Sequence, residues 1–473
     1  MTNLTCSITR TGTLIGACSF VFLSSNLASI AAGQFMAGAD ISAVGVLEDQ
    51  GAVYRDAGRP GDVVGMLADH GVNWFRLRLF VDPSGQDVVV NDLAYTIDLA
   101  RRAKAAGGKL LLDLHYSDTW ADPAHQTKPA AWSGLNFTQL QQRVHDYTRD
   151  VVHAFGVEGV APEMVQIGNE ISNGLLWSDG YPWSGGSHNV GFDRLATILN
   201  AGIDGARAGA ATGEEPLIML HHDRGAQWST TSYYFHKLAS RNVDFDVIGY
   251  SYYPKWHYDE VTQSGSIDDL QENLNNTAMT FGKPVVVVET GFASRGAQFE
   301  PQYEFPVSAS GQQQFLESVM GAVQQVPGGL GWGAFWWYPE ARPVNGLSVW
   351  EGGRYGWFDA SGNLLPAITA FEDLNLKLPG DFDDNGTIDS RDLAIWQTQF
   401  GQSSSGLTAD GNGDGAVDGA DFLSWQRSVN APLLISAKTA VPESEAGILF
   451  SMAAACVMIC RHLARHRESP TGS

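Results

Sequence analysis

Two glutamates stand where this sequence could do chemistry. Val165–Trp177, VQIGNEISNGLLW, begins as a short apolar run and stops at Gly168-Asn169-Glu170, setting an amide and a carboxyl side by side. Pro284–Thr290, PVVVVET, is four consecutive valines followed by Glu289. Runs of this length and composition read as strands buried on both faces. A carboxylate at such a strand end needs a partner or a task, because burying it alone is costly. One glutamate of this kind reads as a salt-bridged strand end. Two of them, 119 positions apart, supply what cleavage of a glycosidic bond requires. One protonated carboxyl serves the leaving oxygen, and one ionised carboxylate sits below the anomeric carbon.

Elements that would position the pair recur along the chain. Strands are predicted near Gln34–Asp40, Asn73–Leu79, Lys109–Leu114, Met164–Gly168, Pro216–Leu220, Phe245–Gly249, Pro284–Val288 and Gly331–Trp336. Helix-like segments such as Leu93–Ala106, Phe137–Phe155 and Gln312–Val326 lie between them. Alternation of strand and helix predicts a parallel sheet. Eight such units over roughly 340 residues fit a (β/α)8 TIM barrel, whose chemistry sits at the C-terminal strand ends. Polar and aromatic residues collect at those ends. Arg76 and Arg78 point the same way by strand alternation, and His115 closes the third strand. His221, His222 and Asp223 follow the fifth, while Tyr252, Tyr253, Trp256 and His257 follow the sixth. Trp336 and Trp337 end the eighth. Singly each reads as a core aromatic or a satisfied histidine, but packing alone does not punctuate seven strands at one end.

The 473 residues carry 29 Lys+Arg against 52 Asp+Glu, a net charge of −23. That balance argues against nucleic acid and anionic membrane surfaces, and for an exported soluble protein. The 14 Trp and 14 Tyr suit stacking on sugars, although they also fill cores. Cys6, Cys18, Cys456 and Cys460 are confined to the two ends, so no disulfide or thiolate metal site is expected between them. Residues 1–32 read as a secretory signal peptide, with Arg10, an apolar run Leu14–Phe22, and small Ser29, Ala31 and Ala32. His115 and the His221-His222 pair lack partners at zinc-ligand spacing, which leaves a loop-held calcium without a sequence pattern open.

The strings GADIS, RLRLF, HYSDTWADPAHQ, VQIGNEISNGLLW, IGYSYYP, VVVET and the Trp of the eighth strand resemble glycoside hydrolase family 53, the endo-β-1,4-galactanases. The resemblance spans roughly Phe35–Leu374. It implies retaining hydrolysis of β-1,4-galactan, as in the side chains of pectin, with no cofactor for the chemistry. It implies Glu170 as acid/base and Glu289 as nucleophile, Asn169 on the sugar 2-OH, and Arg78 orienting or charge-balancing the nucleophile. His115, His221, Tyr252 or Tyr253, and Trp337 would line the central subsite. Lys255 and Tyr338 depart from the family's usual residues, and the expected consequence is a change in outer subsites. The same two-glutamate chemistry also serves mannan or xylan, and a non-catalytic glycan-binding scaffold is the reading from another class. That last reading requires one glutamate to be missing, and both are present.

A second region begins near Pro379-Gly380. DFDDNGTIDSRD and, 29 residues later, DGNGDGAVDGAD each fit an oxygen-ligand Ca²⁺ loop followed by a related helix. The expected ligands are Asp381, Asp383, Asn385, Thr387 (backbone), Asp389 and Asp392, then Asp410, Asn412, Asp414, Ala416 (backbone), Asp418 and Asp421. Asp in place of Glu at the twelfth position resembles a type I dockerin, implying calcium-dependent folding and a cohesin-type partner. The expected organisation is residues 1–32 signal, 33–376 barrel, 379–430 small α-helical dockerin-like module, 431–440 linker, and 441–467 tail. The tail, VPESEAGILFSMAAACVMICRHLARHR, resembles a PEP-CTERM sorting signal of a bacterial envelope. Its apolar run is short for a free-standing span, and membrane contact is expected through this tail alone.

Overall fold

Inward and outward positions alternate along eight parallel strands that close on themselves. In this computed structural model the described residues are 35–429, apart from 185–187, 260, 263, 297–302, 373–379, 384–387, 389, 405–406 and 412–414. The signal segment, the linker, the tail and all four cysteines therefore lie outside the described residues, as do Asn385, Thr387, Asp389, Asn412 and Asp414. The barrel strands are β1 (Met36–Asp40), β2 (Trp74–Leu79), β3 (Lys109–Leu114), β4 (Met164–Ile167), β5 (Leu217–His222), β6 (Val247–Tyr252), β7 (Val285–Thr290) and β8 (Gly331–Trp337). Each pairs in parallel with the next, and β8 closes on β1. The predicted (β/α)8 barrel is thus the observed one. Strands β5, β6 and β7 run two or three residues further than expected, so His221, Ser251 and Glu289 are inside the sheet rather than past it.

Helices form where caps and apolar stripes coincide. Asp92 accepts from Tyr95 N and starts Leu93–Ala105. Asn136 and Gln139 make a reciprocal capping box at the head of Phe137–Val157. Ser308 accepts from Gly311 N, so the helix expected from Gln312 begins at Ala309 instead. These helices cover the outward residues of the strands, such as Phe75, Leu77, Leu112, Val165, Ile218 and Val287.

Inside the barrel the floor is apolar. Met36, Trp74, Leu111, Met164, Met219, Val247, Val286, Val288 and Phe335 form one buried cluster. Two residues further along most strands the inward position turns polar, with Asp40, Arg76, Asp113, Gln166, His221 and Ser251, all buried. Beyond the barrel, Ser390–Gln399 and Gly419–Val429 are the two helices of the small module. They gather Phe382, Ala409 and Val417 with Ile395, Trp396, Leu407 and Trp425 into a core of their own. No helix among the described residues is long and apolar enough to cross a membrane.

Candidate active site

Arg76 is the hub of the polar layer. Its guanidinium has five N–H groups and meets five acceptors. Nε donates to Gln166 Oε1 (3.2 Å), Nη1 to Asp40 Oδ2 (2.9 Å), and Nη2 to Asp113 Oδ2 (2.9 Å) and Asn169 Oδ1 (2.8 Å). Nη1 also forms an ion pair with Glu289 Oε1 at 2.7 Å. Burial alone would raise Asp113, but Arg76 and then His115 override it and hold that carboxyl below its usual range. Gln166 Nε2 donates to Asp113 Oδ1 (2.7 Å) and to Gly168 O (3.0 Å), tying β3 to the exit of β4.

Glu289 reaches this hub through a bulge. Strict alternation along β7 would leave Val286, Val288 and Thr290 inward and Glu289 outward. The register slips by one residue, however: Tyr250 pairs with Val287 and Ser251 with Glu289, and a matching shift occurs against β8. The extra residue lets Val288 and Glu289 both face the interior, as bulges commonly re-aim a side chain. Tyr253 Oη donates to Glu289 Oε2 at 3.2 Å. Burial raises Glu289 to about 7 against the opposing pull of Arg76, with Asp113 and Asp40 acting in the same sense as burial.

Glu170 is held differently. The chain leaves β4 through Gly168 (φ 80°) and Glu170 itself (φ 47°), both left-handed. A Cβ at Gly168 would meet Ile171 Cγ2 at 2.7 Å, so glycine is required there for space as well as conformation. Asn169 Nδ2 donates to Ala121 O (2.8 Å) and Gln126 Nε2 to Asn169 O (2.8 Å), fixing the turn to the loop after β3. Glu170 keeps part of its surface open although protein surrounds it closely. Ser251 Oγ donates to its Oε1 at 2.6 Å. Burial first, then the carboxylates Glu289 and Asp223, raise Glu170 well above the usual carboxyl range. Of the two glutamates, Glu289 alone has a cation beside it and ionises first, which leaves the proton on Glu170.

The other expected residues divide between those the barrel brings together and those it does not. His115 Nε2 lies 2.9 Å from Asp113 Oδ2, and Ala121 N donates to its Nδ1 at 3.2 Å. His221 is fully buried against Ser251 and Asn169. Trp337 stands beside Trp120 (6.2 Å) and Trp350 (4.4 Å) at the mouth. Two expectations are corrected. The partner of Glu289 is Arg76, not Arg78; both face inward, but Arg76 has the height of Asp40 in the sheet, whereas Arg78 sits one pleat nearer the rim, 4.2 Å from the Trp120 ring. Of the tyrosine alternatives, Tyr253 reaches the site; Tyr252 is the outward neighbour of Ser251 and bonds Tyr303 Oη and Gly265 O on the helix side. Tyr338, expected at an outer subsite, is buried with Ala43, Leu47 and Ala341. Lys255 forms an ion pair with Glu351 and lies 5.1 Å from the exposed Trp256 ring. Asp40, Asp113, Gln166 and Ser251 escaped sequence reasoning. For Asp113 the signal existed, as a lone charge inside LLLDLH; for Ser251, between two tyrosines, there was none.

In the small module Asp381, Asp383 and Asp392 each bring a carboxylate oxygen within 4.8 Å of the others. Asp392 Oδ1 accepts from Phe382 N (2.6 Å), and 29 positions later Asp421 Oδ1 accepts from Gly411 N (2.8 Å). The duplicated sequence therefore repeats this backbone-to-aspartate contact. Asp410 Oδ2 accepts from Gly415 N and Asp418 Oδ1 from Ala420 N. Three hard, anionic oxygens gathered within reach of one ion suit an oxygen-seeking cation such as Ca²⁺.

Known proteins resemble this chain over the same stretch. A "probable arabinogalactan endo-beta-1,4-galactanase A" of Aspergillus terreus is 39% identical over 327 residues, covering 66% of this chain and 87% of the relative. A solved fungal β-1,4-galactanase is 34% identical with a TM-score of 0.62, covering 71% of this chain and 98% of that one. The glycoside hydrolase family 53 catalytic domain of Ignisphaera aggregans is 28% identical with a TM-score of 0.64, covering 71% and 95%. The type I dockerin domain matches residues 379–430. Residues 36–371 match the profile of glycosyl hydrolase family 53, and with the barrel and these relatives in agreement, the chain belongs to that family.

Proposed function

We propose that this protein is an extracellular bacterial endo-β-1,4-galactanase that cleaves (arabino)galactan with retention of configuration. The observation that carries the mechanism is the asymmetry of the two glutamates. Glu289, paired with Arg76, is the nucleophile: its carboxylate attacks the anomeric carbon while Glu170 protonates the leaving oxygen. Glu170, now a carboxylate, then takes a proton from water as that water displaces Glu289. Carboxyls in these roles should stand about 5 Å apart. Asn169, held by Arg76 and Ala121, is placed to bind the 2-OH, and the tryptophans Trp120, Trp337, Trp350 and Trp256 offer faces for sugar rings. The relatives' names supply galactan as substrate in preference to mannan or xylan.

The remaining parts extend this reading. Residues 1–32 direct export, 33–376 form the catalytic barrel, 379–430 bind Ca²⁺ through the two loops and dock a cohesin-type protein, and 441–467 form a sorting tail. Azide tests the mechanism. Glu170→Ala should still be glycosylated by an activated aryl galacto-oligosaccharide and be rescued by azide with retained configuration. Glu289→Ala should give a glycosyl azide of inverted configuration. Inverted product from the wild type, or the two azide outcomes exchanged, would defeat the assignment.

A further inference from the structure

We propose that Ser251, oriented by His221, is a positioning residue that decides which oxygen of Glu170 carries the transferable proton. The proposal rests on Glu170 being the acid/base. Ser251 Oγ lies 2.6 Å from Glu170 Oε1 and 2.8 Å from His221 Nε2. On the far side of the ring, His221 Nδ1 lies 3.0 Å from Asn169 Oδ1 and 3.4 Å from the backbone N of Glu170. Both Ser251 and His221 are fully buried. A hydroxyl has one hydrogen to give, so this chain runs in one of two directions.

With its hydrogen on Nδ1, the imidazole donates to Asn169 and its Nε2 accepts from Ser251. Ser251 must then accept from Glu170 Oε1–H, and the proton is turned into the protein. With its hydrogen on Nε2, the imidazole donates to Ser251, Ser251 donates to Oε1, and Nδ1 accepts the Glu170 N–H. The proton of the acid must then sit on Oε2, the oxygen that Ser251 does not hold. The contacts select the second direction. Asn169 Oδ1 already accepts from Arg76 Nη2 at 2.8 Å and faces Gln166 Nε2 at 3.2 Å. Burial, then Arg76, hold His221 well below its ordinary range, so the ring has a single hydrogen to place. In the first step the Oε2–H bond breaks as the leaving group gains its O–H. Oε1 keeps the Ser251 hydrogen bond throughout, and in the second step Oε2 takes a proton from water.

Ser251→Ala and Ser251→Thr in the full chain test this. Ser251→Ala removes the donor that keeps the proton off the buried Oε1, so kcat/KM on galactan should fall by at least about tenfold, within the range spanned by general acid catalysis. On an activated aryl galacto-oligosaccharide, whose departure needs no acid, the loss should stay within about threefold. The alkaline limb of the pH profile should move upward, because the removed donor favoured the ionised carboxylate. Ser251→Thr, which keeps the hydroxyl, should restore the wild-type ratio between the two substrates. ¹⁵N NMR of the wild type should show His221 protonated on Nε2. Equal losses on both substrates, an unmoved alkaline limb, or a hydrogen on Nδ1 would overturn the proposal while azide rescue of Glu170→Ala still upheld Glu170 as acid/base. Absence of that rescue would instead remove the reading beneath it.

Discussion

Replacing Arg76 strips Glu289 of its cation, and the consequence has a definite sign. The guanidinium nitrogen lies 2.7 Å from Glu289 Oε1. Unit charges with centres about 4 Å apart attract by about 4 kcal/mol at an effective dielectric of about 20. At 1.36 kcal/mol per tenfold, that corresponds to about three pH units of resistance to protonation. Arg76→Met removes the attraction and leaves Asp40, Asp113 and Glu289 facing one another. Only the ionised glutamate attacks, so the acidic limb of kcat/KM should move to higher pH. Water entering the site will reduce the displacement, and about one to two pH units is the expected size. Arg76→Lys keeps the charge but has three donors for five acceptors. Losing two charge-assisted hydrogen bonds at about 1.5 kcal/mol each should lower kcat by about a hundredfold with a smaller movement of the limb. The assay is kcat/KM on soluble galactan from pH 4 to 9, with near-ultraviolet circular dichroism confirming a native fold. A folded Arg76→Met enzyme whose acidic limb coincides with the wild type would refute the electrostatic account of the nucleophile. Should methionine prevent folding, an acidic limb moved by about one to two pH units in Arg76→Lys, which keeps the charge, would refute it equally.

Two further outcomes are expected. Glu340 is fully buried, and burial, followed by Asp40, raises it to about 8. The unfolded chain releases that proton near pH 4.3, so the fold holds an extra proton between about 4.3 and 8 and stability falls as pH rises through that window. Glu340→Gln should abolish a loss of up to about 5 kcal/mol, gaining on the wild type at pH 8 but not at pH 5 in urea unfolding; equal differences at both values would show the side chain is not the cause. Asp381, Asp383 and Asp392 repel one another without a cation, so chelation should unfold residues 380–429 and leave the barrel intact. Retention of the module's amide spectrum in chelator would contradict the calcium assignment.

The barrel was legible because apolar runs such as the four valines of β7 recur between helix-like segments such as the one that Asn136 caps. The site was legible only where chemistry coincided with strand ends. Alternation shows that Arg76 and Arg78 share a face, but which one meets Glu289 depends on the height of β2 against β1, set by the pairing of Asp40 with Arg76. No local pattern encodes that pairing. The same alternation applied to PVVVVET turns Glu289 outward; the bulge that reverses it arises from the fit of β7 between β6 and β8. Ser251 has no signature at all, since its role comes from the residues that β4 and β5 bring across the barrel.

In the proposed mechanism two side chains of one type take opposite tasks through where the backbone leaves them. Glu289 lies within β7, in the layer whose single guanidinium serves three carboxylates. Glu170 lies three residues beyond the end of β4, on a left-handed backbone, and the charges that raise it are all carboxylates. Strand β6 joins the two, because Ser251 pairs in register with Glu289 while its hydroxyl reaches Glu170. Any slip between β6 and β7 therefore displaces the nucleophile relative to the partner of the acid. That coupling makes the bulge at Val288 part of the catalytic geometry and not an irregularity of the sheet.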